Sequence, residues 1–84
     1  MTHATIRIPW SRGSYADWEL KMLDCHAEIF DCCDIHSERE WADYVIWSPG
    51  KKWARGSAGT VAEAQELVVE HIVGRWNARA ASVA

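Results

Sequence analysis

Two prolines (Pro9, Pro49) and five glycines in 84 residues leave few fixed breakpoints for the chain. Neither residue is frequent enough for a low-complexity or disordered class, which needs roughly a quarter or more of both together. No apolar run approaches the roughly 18 residues of a membrane-spanning helix. The first residues, Met1-Thr2-His3-Ala4, lack the basic start and apolar run of a secretory leader. The expectation is a cytosolic protein without a membrane role. Cysteine occurs three times, at Cys25, Cys32 and Cys33. An odd number in such a setting argues against a disulfide framework. Bases are scarcer than acids, nine against twelve, giving a formal charge of −3.

What is present is unevenly spread. Between Asp17 and Asp43 stand nine carboxylates: Asp17, Glu19, Asp24, Glu28, Asp31, Asp34, Glu38, Glu40 and Asp43. Only Lys21 and Arg39 oppose them, so this segment carries −7 while the flanks carry +2 each. Such asymmetry is an argument about partners rather than about fold. Tryptophan occurs six times, at Trp10, Trp18, Trp41, Trp47, Trp53 and Trp76. A chain of this length is one domain, residues 1–84, and buries only about 60–65% of its unfolded surface. Six indoles exceed what so small a core holds, so some are expected at an interface.

The hydrophobic pattern predicts an α+β domain, an antiparallel β-meander of four to five strands packed on one C-terminal amphipathic helix. Ala4–Trp10 alternates and reads as a strand ending near Pro9. Trp18–Met22 alternates apolar and charged residues, with a turn at Asp24-Cys25 and a return over Ala27–Phe30. A helix competes for residues 14–33, because Tyr15, Trp18, Met22, Cys25, Ile29 and Cys32 also fall three or four apart. Asp31–Glu40 reads as a polar loop, and Trp41–Trp47 as a strand. Ser48-Pro49-Gly50-Lys51 fits a type II turn, which would set Ile46 opposite Trp53 and Trp47 opposite Lys52. Thr60-Val61-Ala62-Glu63 is a capping box. It opens a helix whose apolar stripe is Val61, Ala64, Val68, Ile72 and Trp76, widened by Leu67. Residues 78–84 are expected to fray.

Several chemistries are weighed and set aside. Cys25, His26, Cys32, Cys33 and His36 are five donors within twelve residues, yet the paired spacing of zinc sites is missing. Buried cysteines serving as small hydrophobes account for the same residues. No motif links a cysteine to a histidine base, so no enzyme, metal or cofactor is expected. Ser57–Thr60 precedes a helix N-terminus, where Thr60 as N-cap is sufficient explanation. A basic and aromatic set, Trp47, Lys52, Trp53 and Arg55, offers an alternative function in nucleic-acid binding or regulation. A pI near 5.7 counts against that alternative.

From Trp18 to Glu70 the chain has a Trp-led strand, a return through Ala27-Glu28-Ile29-Phe30, a Trp- and Tyr-rich strand and a glycine-marked hairpin. Gly56-Ser57-Ala58-Gly59-Thr60-Val61-Ala62-Glu63-Ala64 then leads into the helix. In this it resembles small phage-encoded proteins of the anti-CRISPR class. The resemblance covers about two-thirds of the chain and implies a non-enzymatic inhibitor in the host cell cytoplasm. Its partner would be a protein subunit of a CRISPR effector complex of the multi-subunit surveillance type. That class shares no common motif, so no site residue is carried over. From the charge pattern, the expected partner contacts are Glu19, Glu28, Asp31, Asp34, Glu38 and Glu40, with Trp41 or Trp10 as aromatic anchor. Direct nucleic-acid contact is not expected, and the protein is expected as a monomer or homodimer.

Overall fold

The computed structural model describes residues 8–50 and 52–83 of the chain. Four strands and a helix follow one another: β1 (Trp18–Met22), β2 (Cys25–Asp34), β3 (Arg39–Ser48), β4 (Lys52–Ala58) and α1 (Val61–Val83). The strands form one antiparallel sheet in the order β1-β2-β3-β4. This is the expected α+β architecture, a four-stranded meander covered on one face by a single helix. The competing helix over residues 14–33 does not form. Clean alternation wins because Trp18, Leu20 and Met22 all reach one face, where they pair with Ile29, Ala27 and Cys25.

That face holds the core. Leu20, Cys25, Ala27, Ile29, Ala42 and Ile46 from the sheet meet Ala64, Val68 and Ile72 from the helix. Leu20, Ile29, Ile46, Val68 and Ile72 are its largest fully buried side chains. Each contributes about 1.5–3 kcal/mol of burial. Ala27, Ala42 and Ala64 are fully buried as well, and their small size lets the helix lie close on the strands. Tyr44 stands directly opposite Gly56, and its phenol fills the space a side chain there would need. Trp10 and Trp18 pack half-buried around the edge of this cluster.

The helix begins as its sequence predicts. The Glu63 N–H donates to Thr60 Oγ1 at 3.1 Å, and Glu63 Oε2 accepts from the Gly59 N–H at 3.2 Å. One of the helix's N-terminal donors is thereby satisfied, and the Glu63 side chain reaches back to the residue before the cap. The helical backbone runs on to Val83, past the point at 78 where fraying was expected. Arg75 ties its later half to the sheet, donating from one Nη to both oxygens of Asp24 at 2.8 and 2.9 Å.

Four expectations are corrected. Residues 8–10 form no strand, and the rest of the proposed Ala4–Trp10 strand lies outside the described residues. The chain instead touches β1 through one bridge, Ser11 with Glu19, by N–H···O bonds of 2.9 and 2.7 Å. The first hairpin turns at Leu23-Asp24 rather than Asp24-Cys25, with Leu23 at φ 55° and Met22 paired to Cys25. The segment Asp31–Glu40 is no loop: β2 continues to Asp34 and β3 starts at Arg39. The last hairpin pairs Ser48 with Lys52, so three residues intervene rather than two, and Trp47 faces Trp53 while Ile46 faces Ala54. Gly50, at φ 84°, supplies the left-handed position.

Candidate functional site

The two central strands are ten residues each, whereas their neighbours are five and seven. β1 meets β2 no further along than Trp18 with Ile29, and β4 meets β3 no further than Ala58 with Ala42. Beyond the pair Asp31 and Ala42 the ladder is therefore a free hairpin. It contains the pairs Cys32 with Trp41, Cys33 with Glu40 and Asp34 with Arg39, then the turn 35–38. Three further pairs at about 3.4 Å each carry this arm roughly 10 Å past the body of the sheet.

The arm's base and tip are both tied down. Asp17 Oδ2 accepts the Asp31 N–H at 2.7 Å, extending the sheet edge with a side chain where strand β1 has ended. At the tip, Asp34 Oδ1 accepts the His36 N–H at 2.9 Å. That hydrogen bond, with help from Ser37, holds the Asp34 carboxyl below its ordinary value. Glu38 closes the turn in the left-handed region at φ 54°. Ile35 is 81% exposed at the tip.

Five of the eight sequence-predicted contact residues thus lie on one element: Asp31, Asp34, Glu38, Glu40 and Trp41. Asp31, Asp34, Glu38 and Glu40 are exposed, and Arg39 is the arm's one base. The Arg39 guanidinium lies 5.9 Å from the Trp41 ring centroid. Glu19 and Glu28 are brought together elsewhere, directly opposite each other on the sheet face away from the helix. His26 Nε2 lies 3.5 Å from the Glu28 carboxylate. Trp10 is apart from both groups. With Ile8 it lines a recess of about 450 Å3 against Ala62, Gln65, Glu66, Val69 and Glu70 of the helix.

The face away from the helix was only partly foreseen. Alternation places His26, Glu28, Phe30 and Cys32 of β2, Trp41, Asp43, Val45 and Trp47 of β3, and Trp53, Arg55 and Ser57 of β4 upon it. Trp47 is 41% and Trp53 57% exposed. Asp43 accepts from Ser57 Oγ at 2.6 Å, and this bond lowers its carboxyl from the ordinary value. The odd positions of Trp41–Trp47 already signalled three large apolar groups on one face. Their meeting with Trp53 followed only from the three-residue turn.

Two of the three thiols, Cys25 and Cys32, are not prepared for nucleophilic work. Burial pushes Cys25 up, and burial with the charge of Asp43 pushes Cys32 up, the reverse of the depressed thiol a nucleophile needs. Cys25 faces the core while His26 faces away from it, and Cys32 and Cys33 diverge to opposite faces. Among the described residues, no three His, Cys, Asp or Glu side chains converge on a point that would hold a metal. Among the same residues, no helix is long and apolar enough to cross a membrane.

No family model matches the chain, and no solved structure gives a significant match. Among curated proteins, it is similar to the mRNA export factor rae-1 of Caenorhabditis elegans, at 26% identity over 77 residues. The match covers 84% of this chain and 20% of that protein, so the chain spans about a fifth of the relative's length.

Proposed function

We propose that this chain is a non-catalytic inhibitor of the anti-CRISPR kind, which inserts its acidic β2–β3 arm into the basic DNA-binding channel of a CRISPR surveillance complex. The observation that carries this reading is the arm itself. Asp34, Glu38 and Glu40 stand exposed on the part of the hairpin beyond β1 and β4, with Trp41 and the exposed Asp31 at its base. A free two-stranded arm is narrow, about 5 Å between strands, and suits a groove shaped for a nucleic-acid strand. Carboxylates spaced along it would meet the lysines and arginines that normally neutralise phosphate. Long-range attraction between such surfaces speeds encounter and weakens as salt rises. Ile35, fully presented at the tip, would supply an apolar contact at the deepest point. The mechanism is occlusion in the host cytoplasm: the arm occupies the channel and target DNA cannot.

The test is competition. Binding of labelled target duplex to a purified multi-subunit surveillance complex is followed while this protein is added. Wild-type protein displaces the duplex. Asp31→Lys, Glu38→Lys and Glu40→Lys together raise the concentration needed by at least about a hundredfold. These three positions are chosen because Asp34 holds the turn through His36, so its replacement would confound fold with contact.

A further inference from the structure

Opposite the helix, no described element covers the sheet face, and its residues fall into rows. One row reads Glu19, Glu28, Val45, Arg55 from β1 to β4, and the next reads Lys21, His26, Trp47, Trp53. His26 meets the Trp47 ring edge-on at 5.4 Å, and the Arg55 guanidinium lies 5.3 Å from the Trp53 centroid. Acid therefore lies on the β1–β2 side, aromatic surface and a guanidinium on the β3–β4 side. We infer that this face packs against the same face of a second copy of the chain, by a two-fold axis running along the strands between β2 and β3.

The distribution of charge selects that occupant. Such an axis lays β1 of one copy over β4 of the other. Glu19 then faces Arg55, Lys21 faces Trp53 and His26 faces Trp47, with Val45 at the centre beside Glu28. His26 and Trp47 meet near the axis, each Glu28 lies over the other copy's Val45, and Glu19 meets Arg55 and Lys21 meets Trp53 at the margins, every contact occurring twice as an isologous interface requires. A single nucleic-acid strand is the poorer occupant. Glu19, Glu28, Asp34 and Asp43 share this face with only Lys21, Arg39 and Arg55 as permanent cations, and surplus acid repels phosphate. Face-to-face sheets also have a natural spacing of about 10 Å, which two layers of Trp, Val and His side chains fill.

The area sets the strength. Four strands about 4.8 Å apart and some five residues deep give a patch roughly 20 Å square. Two such patches with their side-chain relief bury about 1,000–1,200 Å2, at the low end of specific interfaces. The dimer is accordingly a reversible, micromolar one. Both arms emerge from it at the same end. This inference is separable from the arm's proposed docking through Asp31 and Glu40, which lie on the other side of the ladder, and Glu38 in the turn, whereas Asp34 and Trp41 lie on the face the dimer covers.

Sedimentation velocity of the full chain from low micromolar to near-millimolar concentration tests it. A monomer–dimer equilibrium with a micromolar constant is expected. Arg55→Glu raises the dissociation constant at least about tenfold by setting acid against Glu19 and Glu28. Adding Glu19→Arg to Arg55→Glu recovers most of that loss, and Trp47→Ala weakens the dimer while the far-UV spectrum of the monomer stays that of the wild type. A chain that stays monomeric throughout overturns the inference. So does a dimer indifferent to both Arg55→Glu and Trp47→Ala. Quenching of tryptophan fluorescence by oligothymidylate in a monomeric chain overturns it in favour of nucleic acid.

Discussion

Leu20 and Leu23 are three residues apart and have opposite fates. Leu20 is fully buried between the sheet and the helix, whereas Leu23 is 55% exposed and held at φ 55° in the first hairpin turn. A leucine in the left-handed region costs about 1–2 kcal/mol, a strain that glycine escapes. Replacing Leu23 with Gly is therefore expected to raise the unfolding free energy by about 1 kcal/mol, net of glycine's extra chain entropy. Leu20→Ala is expected to lower it by about 2–5 kcal/mol through lost burial and a residual cavity. Urea unfolding of the two variants checks both signs. The alternation of Trp18–Met22 disclosed Leu20's burial, but nothing local disclosed the turn at Leu23. Two-residue hairpin turns are ordinarily marked by Gly, Asn or Asp in the position that Leu23 fills.

Among the elements, β2 and β3 show where the sequence misleads. Their polar ends, Asp31–Asp34 and Arg39–Glu40, read as loop because alternation marks a strand only when one of its faces is buried. Past the reach of β1, β4 and the helix, both faces of the arm are wet, so the ladder continues without a hydrophobic pattern to reveal it. The capping box was legible, and so was the stripe in Val61, Ala64, Val68 and Ile72, but Leu67 and Trp76, read into the same stripe, are exposed and Val69 packs on the core instead. The clasp that seats α1 was not legible, since Arg75 and Asp24 are far apart in sequence. Its pH dependence follows from its geometry. The Arg75 hydrogen bonds hold the Asp24 carboxyl below its ordinary value of 3.8. A carboxyl depressed on folding lends stability in full above its unfolded value and loses it as pH falls through the folded one. Asp24→Asn is thus expected to lower the melting temperature at neutrality, with the gap to wild type closing as pH falls below 3.8. Thermal melts from neutrality into acid check this, and a gap that persists undiminished in acid would assign the loss to something other than charge.

At the scale of the whole molecule, the acidic block divides between two surfaces. Asp31, Asp34, Glu38 and Glu40 run along the projecting arm, while Glu19 and Glu28 join the uncovered face and Asp24 faces the helix. The net charge of −3 is modest, but the arm concentrates four acids against one base at one end. The basic residue Arg75 meets the β1–β2 turn at the other end. Under the proposed reading, the exposed carboxylates of the arm would steer that end first toward a positive channel. The proposed inhibition by the arm is expected to fall steeply with added salt, and the proposed dimer, with His26 and Trp47 near its axis, to respond less.

The most direct test of the account is displacement of labelled target DNA from a purified CRISPR surveillance complex at low and at physiological salt. The account predicts displacement by the wild-type chain, weaker at the higher salt, and its loss in the folded triple variant Asp31→Lys, Glu38→Lys, Glu40→Lys. No displacement by the wild type at either salt, or equal displacement by the triple variant, would contradict it.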